Sequence, residues 1–167
     1  MHALQSQAMC SLAVATVAVL TGCQSRAAVP MTEADRAAIA SAVEATWADM
    51  MAGGQALDPD RIRSGYVDRP VVAINGHIID DFDRDQFDET RRWLRSLRHF
   101  EGSYDHVHLE VLSPGTVVTT MNHHLTWADS TGTSGEWNSA WTAVFRLVGG
   151  RWKIAYSHES TPQPEKQ

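Results

Sequence analysis

Histidine, carboxylate and tryptophan carry most of the chemistry open to this sequence. His158 closes a strand-like segment, Arg151 to Glu159, in which simple alternation puts Trp152, Ile154, Tyr156 and His158 on one face. A neutral imidazole in an apolar pocket can act as a general base near physiological pH. The plainer reading is a buried histidine satisfied by a backbone carbonyl or by Tyr156. By the same alternation Glu159 points the other way, so an acid that activates His158 must come from elsewhere. Asp80, Asp81, Asp105 and Glu110 are available, but none stands at a diagnostic spacing. Tyr66, Tyr104 and Tyr156 are possible hydrogen-bond donors to a ligand, with no acid that pairs with them on spacing alone.

A metal is the other chemistry to weigh. His106-x-His108 puts two imidazoles on one strand face, with Glu110 next on that face and His123-His124 a strand away. Imidazole and carboxylate suit several transition metals. The opposite face of that strand carries Val107, Leu109 and Val111, so the polar side reads more simply as solvated. No metal and no cofactor is expected. Trp47, Trp137 and Trp141 can line an apolar cavity and stack on a flat ligand, or be plain core, or sit at a dimer seam. His123 falls among the apolar residues of its own strand face.

These residues need elements to position them. Thr32 reads as a helix N-cap with Glu33 and Asp35 in the first turn, and Ile39, Val43, Trp47 and Met50 form one apolar stripe. Gly53-Gly54 is expected to end that helix. Asp58-Pro59 opens a short second helix that stops near Gly65. Val71 to Ile79, broken at Asn75-Gly76, reads as a hairpin or bent strand, and a third helix is expected over about Asp85 to Leu97. Then come strand-like segments Ser103 to Leu112, Thr116 to Trp127, Glu136 to Val148 and Arg151 to Glu159, separated by turn residues. Trp137, Trp141, Ala143, Phe145 and Leu147 share a face of one, and Val117, Met121, His123, Leu125 and Trp127 share a face of another. Helices followed by an antiparallel meander define an α+β fold.

The 167 residues leave room for one domain, and the beginning of the chain is expected to lie outside it. Met1 to Gly22 contains no Asp, Glu, Lys or Arg, and Ala8 to Leu20 is apolar but short of the roughly 20 residues of a membrane span. Leu20-Thr21-Gly22-Cys23 follows, which resembles the lipobox of bacterial lipoproteins. That resemblance implies cleavage before Cys23, lipidation of its thiol, and an address on the periplasmic side of the outer membrane. The expected organisation is a signal over 1–22, a tether over 23–30, a domain over 31–161 and a tail over 162–167. The only other thiol is Cys10, inside the signal, so the domain must hold itself by its core. A net charge of −6 without a Lys/Arg cluster argues against nucleic acid, and no phosphate loop or nucleophile elbow is present.

The closing phrase Gly150-x-Trp152-x-Ile154-x-Tyr156-x-His158-x-Ser160 resembles the pattern of the SnoaL-like branch of the nuclear transport factor 2-like superfamily. Tyr156 stands where a His is common there, and Thr142 fits a preceding Thr, whereas Ala140 occupies the position of an Arg. The resemblance implies a cone-shaped roll in which three N-terminal helices pack on a curved, mostly antiparallel sheet. It also implies frequent dimerisation through that sheet, and members that are isomerases, dehydratases or cyclases. The expected function is therefore binding of a small, mostly apolar ligand, with Trp47, His123, Trp137, Trp141 and Tyr156 as walls and His158 as polar anchor. A proton-transferring enzyme with His158 as base is one alternative, and a non-catalytic interaction module is another. Expected partners are the ligand, a second copy of the chain, and the membrane through the N-terminal lipid only.

Overall fold

The computed structural model describes residues 30–162. The proposed signal, most of the tether, Cys23 and the last five residues lie outside these. The compact unit begins at Met31.

Helix α1 spans Glu33–Gln55 and starts where the sequence places it. The Thr32 Oγ1 accepts from the Asp35 amide at 3.1 Å, and the Asp35 carboxylate accepts from the Thr32 amide at 3.0 Å. This reciprocal box satisfies two amides that the helix itself cannot. Val43, Trp47 and Met50 are buried along its inner stripe. The helix runs through Gly53-Gly54 rather than ending there. Gly54 is needed for closeness instead, because a Cβ on it would lie 2.5 Å from the Phe100 ring. The chain turns at Leu57, whose φ is 53°.

Helix α2 (Pro59–Ser64) is capped by Asp58, and strand β1 (Tyr66–Ile74) follows. Arg63 reaches back to the carbonyls of Tyr66, Val67 and Asp68 while pairing with Asp83, which fixes the start of β1. Asn75-Gly76, both at positive φ, turns β1 into β2 (His77–Ile79), the hairpin read from the sequence. The third helix is composite: a π-helical turn over Phe82–Phe87 leads into α3 (Asp88–Ser96). Phe82, Phe87 and Leu94 face inward.

Strands β3 (Leu97–Ser113), β4 (Thr116–Asp129), β5 (Ser134–Val148) and β6 (Arg151–Ser160) form the meander. The sheet order is β2-β1-β6-β5-β4-β3, antiparallel except for the parallel pair β1–β6. Strand β3 begins six residues earlier than its apolar pattern suggests, because Leu97 to Gly102 pairs with the far end of β4. On the inner face the core joins Val43, Trp47 and Met50 of α1 to Val117, Met121, Trp141, Ala143, Phe145 and Ile154. This is the α+β cone of helices on a curved sheet.

Strand β6 contains the feature that decides the site. Ile154 pairs with Phe145 but Tyr156 pairs with Val144, so Ala155 is an extra residue, a β-bulge. Alternation reverses across it. Ile154 is fully buried, and beyond the bulge Ser157, not Tyr156, is buried. The expectation that Trp152, Ile154, Tyr156 and His158 share one face is therefore corrected. Tyr156 and His158 lie on the outer face, and Ser157 and Glu159 lie on the inner one.

Candidate functional site

The inner face and the helices line a solvent-open cavity of about 430 Å³. Helix α1 contributes Trp47, Met50 and Met51, the two methionines about one turn after the tryptophan on the same side of the helix. Strand β5 contributes Trp137 and Trp141, β4 contributes His123 and Leu125, and the composite third helix contributes Gln86, Thr90 and Trp93. Tyr66 of β1 and Glu159 of β6 line the same space. A smaller recess of about 90 Å³ also borders Tyr66, Trp141 and Glu159. The size suits a small organic molecule.

One wall is aromatic. The Trp47 and Trp141 rings lie 4.5 Å apart at 33°, and the His123 ring meets Trp47 edge-on at 5.7 Å. Trp93 and Phe100 cross at 84° with centroids 5.8 Å apart.

The polar groups are few and unusual. His123 is only 9% exposed, and neither ring nitrogen has a hydrogen-bond partner in the protein. Burial depresses its pKa to about 4, with the neighbouring His124 charge adding to the effect. His124 shows the reverse behaviour on the opposite face. Its Nδ1 lies 2.7 Å from Asn138 Oδ1 and its Nε2 lies 3.3 Å from an Asp105 oxygen, so acceptors face both nitrogens and its pKa is raised. Adjacent residues on one strand are thus shifted in opposite directions by the environments of the two sheet faces.

Glu159 accepts a hydrogen bond of 2.6 Å from the buried Ser139 hydroxyl. Burial raises its pKa, against the donors Ser139 and Trp137. Ser139 in turn stands directly across from His123 in the β4–β5 register, and Trp141 stands across from Glu159. Tyr66 is pushed up to about 12, by burial first and by the Glu159 carboxylate second.

The structure brings Trp47, His123, Trp137 and Trp141 together in the cavity. It does not bring Tyr156 or His158 there. Tyr156 is 36% exposed between Val71 and Val144, and His158 lies between Ala73 and Thr142 on the outer face. The base and anchor roles expected of His158 in this cavity, and the wall role of Tyr156, are corrected accordingly. Glu159 takes the inward position on β6. Nothing in the residue types marks Ala155 as a bulge, since neither Gly nor Pro stands there. The polar residues of β3 also lie on the outer face: the His106 Nδ1 is 2.7 Å from Asp105, and His108 stands opposite Thr120. Among the described residues no three or more His, Cys, Asp or Glu side chains are grouped to hold a metal.

An apolar cavity between helices and the inner face of a curled sheet is the arrangement of the nuclear transport factor 2-like fold. The model of the SnoaL-like domain matches residues 71–164, more than half the chain, and the chain belongs to that family. Solved structures agree on the fold. A Novosphingobium aromaticivorans protein provisionally assigned as a scytalone dehydratase superposes with a TM-score of 0.70 at 12% identity, covering 79% of this chain and 89% of that one. Hexachlorocyclohexane dehydrochlorinase LinA-type3 from Novosphingobium barchaimii gives 0.63 at 16% identity, covering 79% and 92%. A nuclear transport factor 2-like superfamily protein from Salmonella enterica gives 0.65 at 12% identity, covering 78% and 96%. A comparison of the sequence with curated proteins finds no match.

Proposed function

We propose that the cavity binds a small, mostly apolar organic molecule, with Trp47, Trp137 and Trp141 as walls and Glu159, His123 and Tyr66 as its polar contacts. The observation that carries this reading is His123. An imidazole buried in an apolar cavity with both nitrogens unpaired is costly unless something else meets it. Both nitrogens are closed to solvent, so a ligand hydroxyl or carbonyl fits that role once the side chains covering them move aside. Native mass spectrometry of the purified full chain, set against the denatured sample, tests it. A releasable small-molecule adduct that is lost on Trp47→Ala is the expected result. Adduct retention in that variant would place the ligand elsewhere.

A second reading is proton-transfer catalysis in the same cavity, beside a carbonyl or in an elimination. It is favoured by two titratable groups whose environments push them in opposite directions, His123 downward and Glu159 upward. Neutral His123 would accept a proton, and Glu159 would hold one near a leaving group. The dehydratase and dehydrochlorinase among the similar structures are consistent with it. Here His123→Gln should abolish turnover while ligand affinity stays within about threefold, a loss in kcat rather than in binding.

We further propose that the chain is exported, lipidated at Cys23 and anchored on the periplasmic side of the outer membrane, and that it pairs as a homodimer through the outer sheet face. Leu20-Thr21-Gly22-Cys23 supports the anchor, and the family resemblance with exposed Val71 and Tyr156 supports the pairing. Cys23→Ala should leave the protein unprocessed and free of labelled fatty acid. Tyr156→Arg should shift the dimer to monomer in analytical ultracentrifugation; an unchanged sedimentation coefficient would put the interface elsewhere.

A further inference from the structure

The binding reading leaves open what class of molecule the cavity selects, and the charges around it answer that. Two carboxylates, Glu89 and Glu159, line the cavity, and no Lys or Arg is among the described residues that do. The nearby guanidiniums are engaged elsewhere: Arg61 with Asp49, Arg63 with Asp83, and Arg91 with Asp60 and Asp88. Glu159 thus sits largely buried with only neutral donors. A carboxylate withdrawn from water without a counter-ion is strongly penalised, and its preferred complement is a positive charge.

Its surroundings point the same way. Trp141 lies opposite Glu159 in the strand register, Trp137 donates toward the carboxylate, and Tyr66 is close enough to feel its charge. Trp47 stacks on Trp141, and Trp93 and Phe100 line the same space. Aromatic faces carry negative potential and attract organic cations, Trp most strongly. Aromatic rings beside a largely buried carboxylate are an arrangement that recognises a hydrophobic ammonium group.

We propose that the cavity's ligand is an apolar organic cation, an amine or quaternary ammonium compound, whose charged nitrogen sits against Glu159 among Tyr66, Trp137 and Trp141. This rests on the binding reading above and specifies it. An anionic ligand would meet two carboxylates and no fixed cation. A neutral carbonyl compound would need Glu159 to stay protonated and donate to it.

The test is a titration of intrinsic tryptophan fluorescence of the full chain at pH 8 with three probes of similar shape. They are benzyltrimethylammonium, its uncharged carbon isostere neopentylbenzene, and the anion phenylacetate. The cation is expected to bind at least about tenfold more tightly than the neutral isostere, and the anion more weakly than either. Glu159→Gln should remove the preference for the cation while affinity for neopentylbenzene stays within about twofold. Equal or tighter binding of the isostere, or a preference that survives Glu159→Gln, would overturn the cation assignment and leave the cavity reading standing. If none of the three perturbs the fluorescence of a protein that unfolds cooperatively, both readings fall together.

Discussion

His123 and Glu159 give the protein a pH signature that can be worked out group by group. An unfolded histidine titrates near 6.5, whereas His123 in the fold titrates at about 4. Between those values the unfolded chain takes up a proton that the native state refuses, so stability falls as pH drops through this window. The loss amounts to at most roughly 3 kcal/mol. Urea unfolding at pH 7 and pH 4.5 should show a larger acid loss for the wild type than for His123→Gln. Glu159 has the opposite sense. Its folded pKa is raised, so the native state holds a proton longer than the unfolded chain, and stability falls as pH rises through that interval. Glu159→Gln should therefore melt higher than wild type at pH 8, and the advantage should vanish near pH 4. A wild-type advantage at pH 8 would mean that the charged form is well solvated.

At the scale of elements, close approach and strand phase do the positioning. Gly54 lets α1 lie against Phe100, and a methyl group there would enter the ring. Gly54→Ala should cost about 1–3 kcal/mol in urea unfolding, as overpacking does. Phase is governed by Ala155. Deleting it would remove the bulge and set Tyr156 directly after Ile154, so that Tyr156 and His158 stay outward and Ser157 and Glu159 inward, and the variant should still unfold cooperatively in urea. The same residue explains what the sequence conceals. Helix caps at Thr32 and Asp58 are legible because a short polar side chain before an apolar stripe has one good use. The faces of β4 and β5 are legible because Met121, His123, Trp137 and Trp141 follow an unbroken period of two. Glu159 is not legible, because a bulge is a property of pairing between β6, β5 and β1, and no single strand records it. Ser139 is equally silent, since a serine among tryptophans gains meaning only from the carboxylate that arrives from the next strand.

For the molecule as a whole, the two sheet faces divide the labour. The inner face holds the aromatic cavity with its few unpaired polar groups. The outer face holds a polar network of Asp105, His106, Asn122, His124 and Asn138, with the apolar Val71 and Tyr156 toward the other side of the sheet. The cavity should thus be sensitive to ligand and the outer face to assembly, and the two should be separable by mutation. Tyr156→Arg is expected to leave ligand affinity within about twofold, because the side chain never reaches the cavity. A large loss of affinity together with dissociation would mean that the partner subunit closes the cavity.

The pairing of β1 with β6 also bears on how fast the fold can be completed. Tyr66 meets Ile154 across about two thirds of the sequence of the domain, so β1 has no inner neighbour until the last strand arrives. Contacts that distant in sequence form slowly, because a long loop must close before any bond rewards it. The pairing of β1 with β6, which closes the wall beside the cavity carboxylate, is therefore among the slower contacts to form. A chain interrupted before Arg151 would therefore lack Glu159 altogether and leave β1 unpaired on that side. Binding competence consequently reports on completion of the whole domain, and it should appear in refolding experiments with the slowest phase.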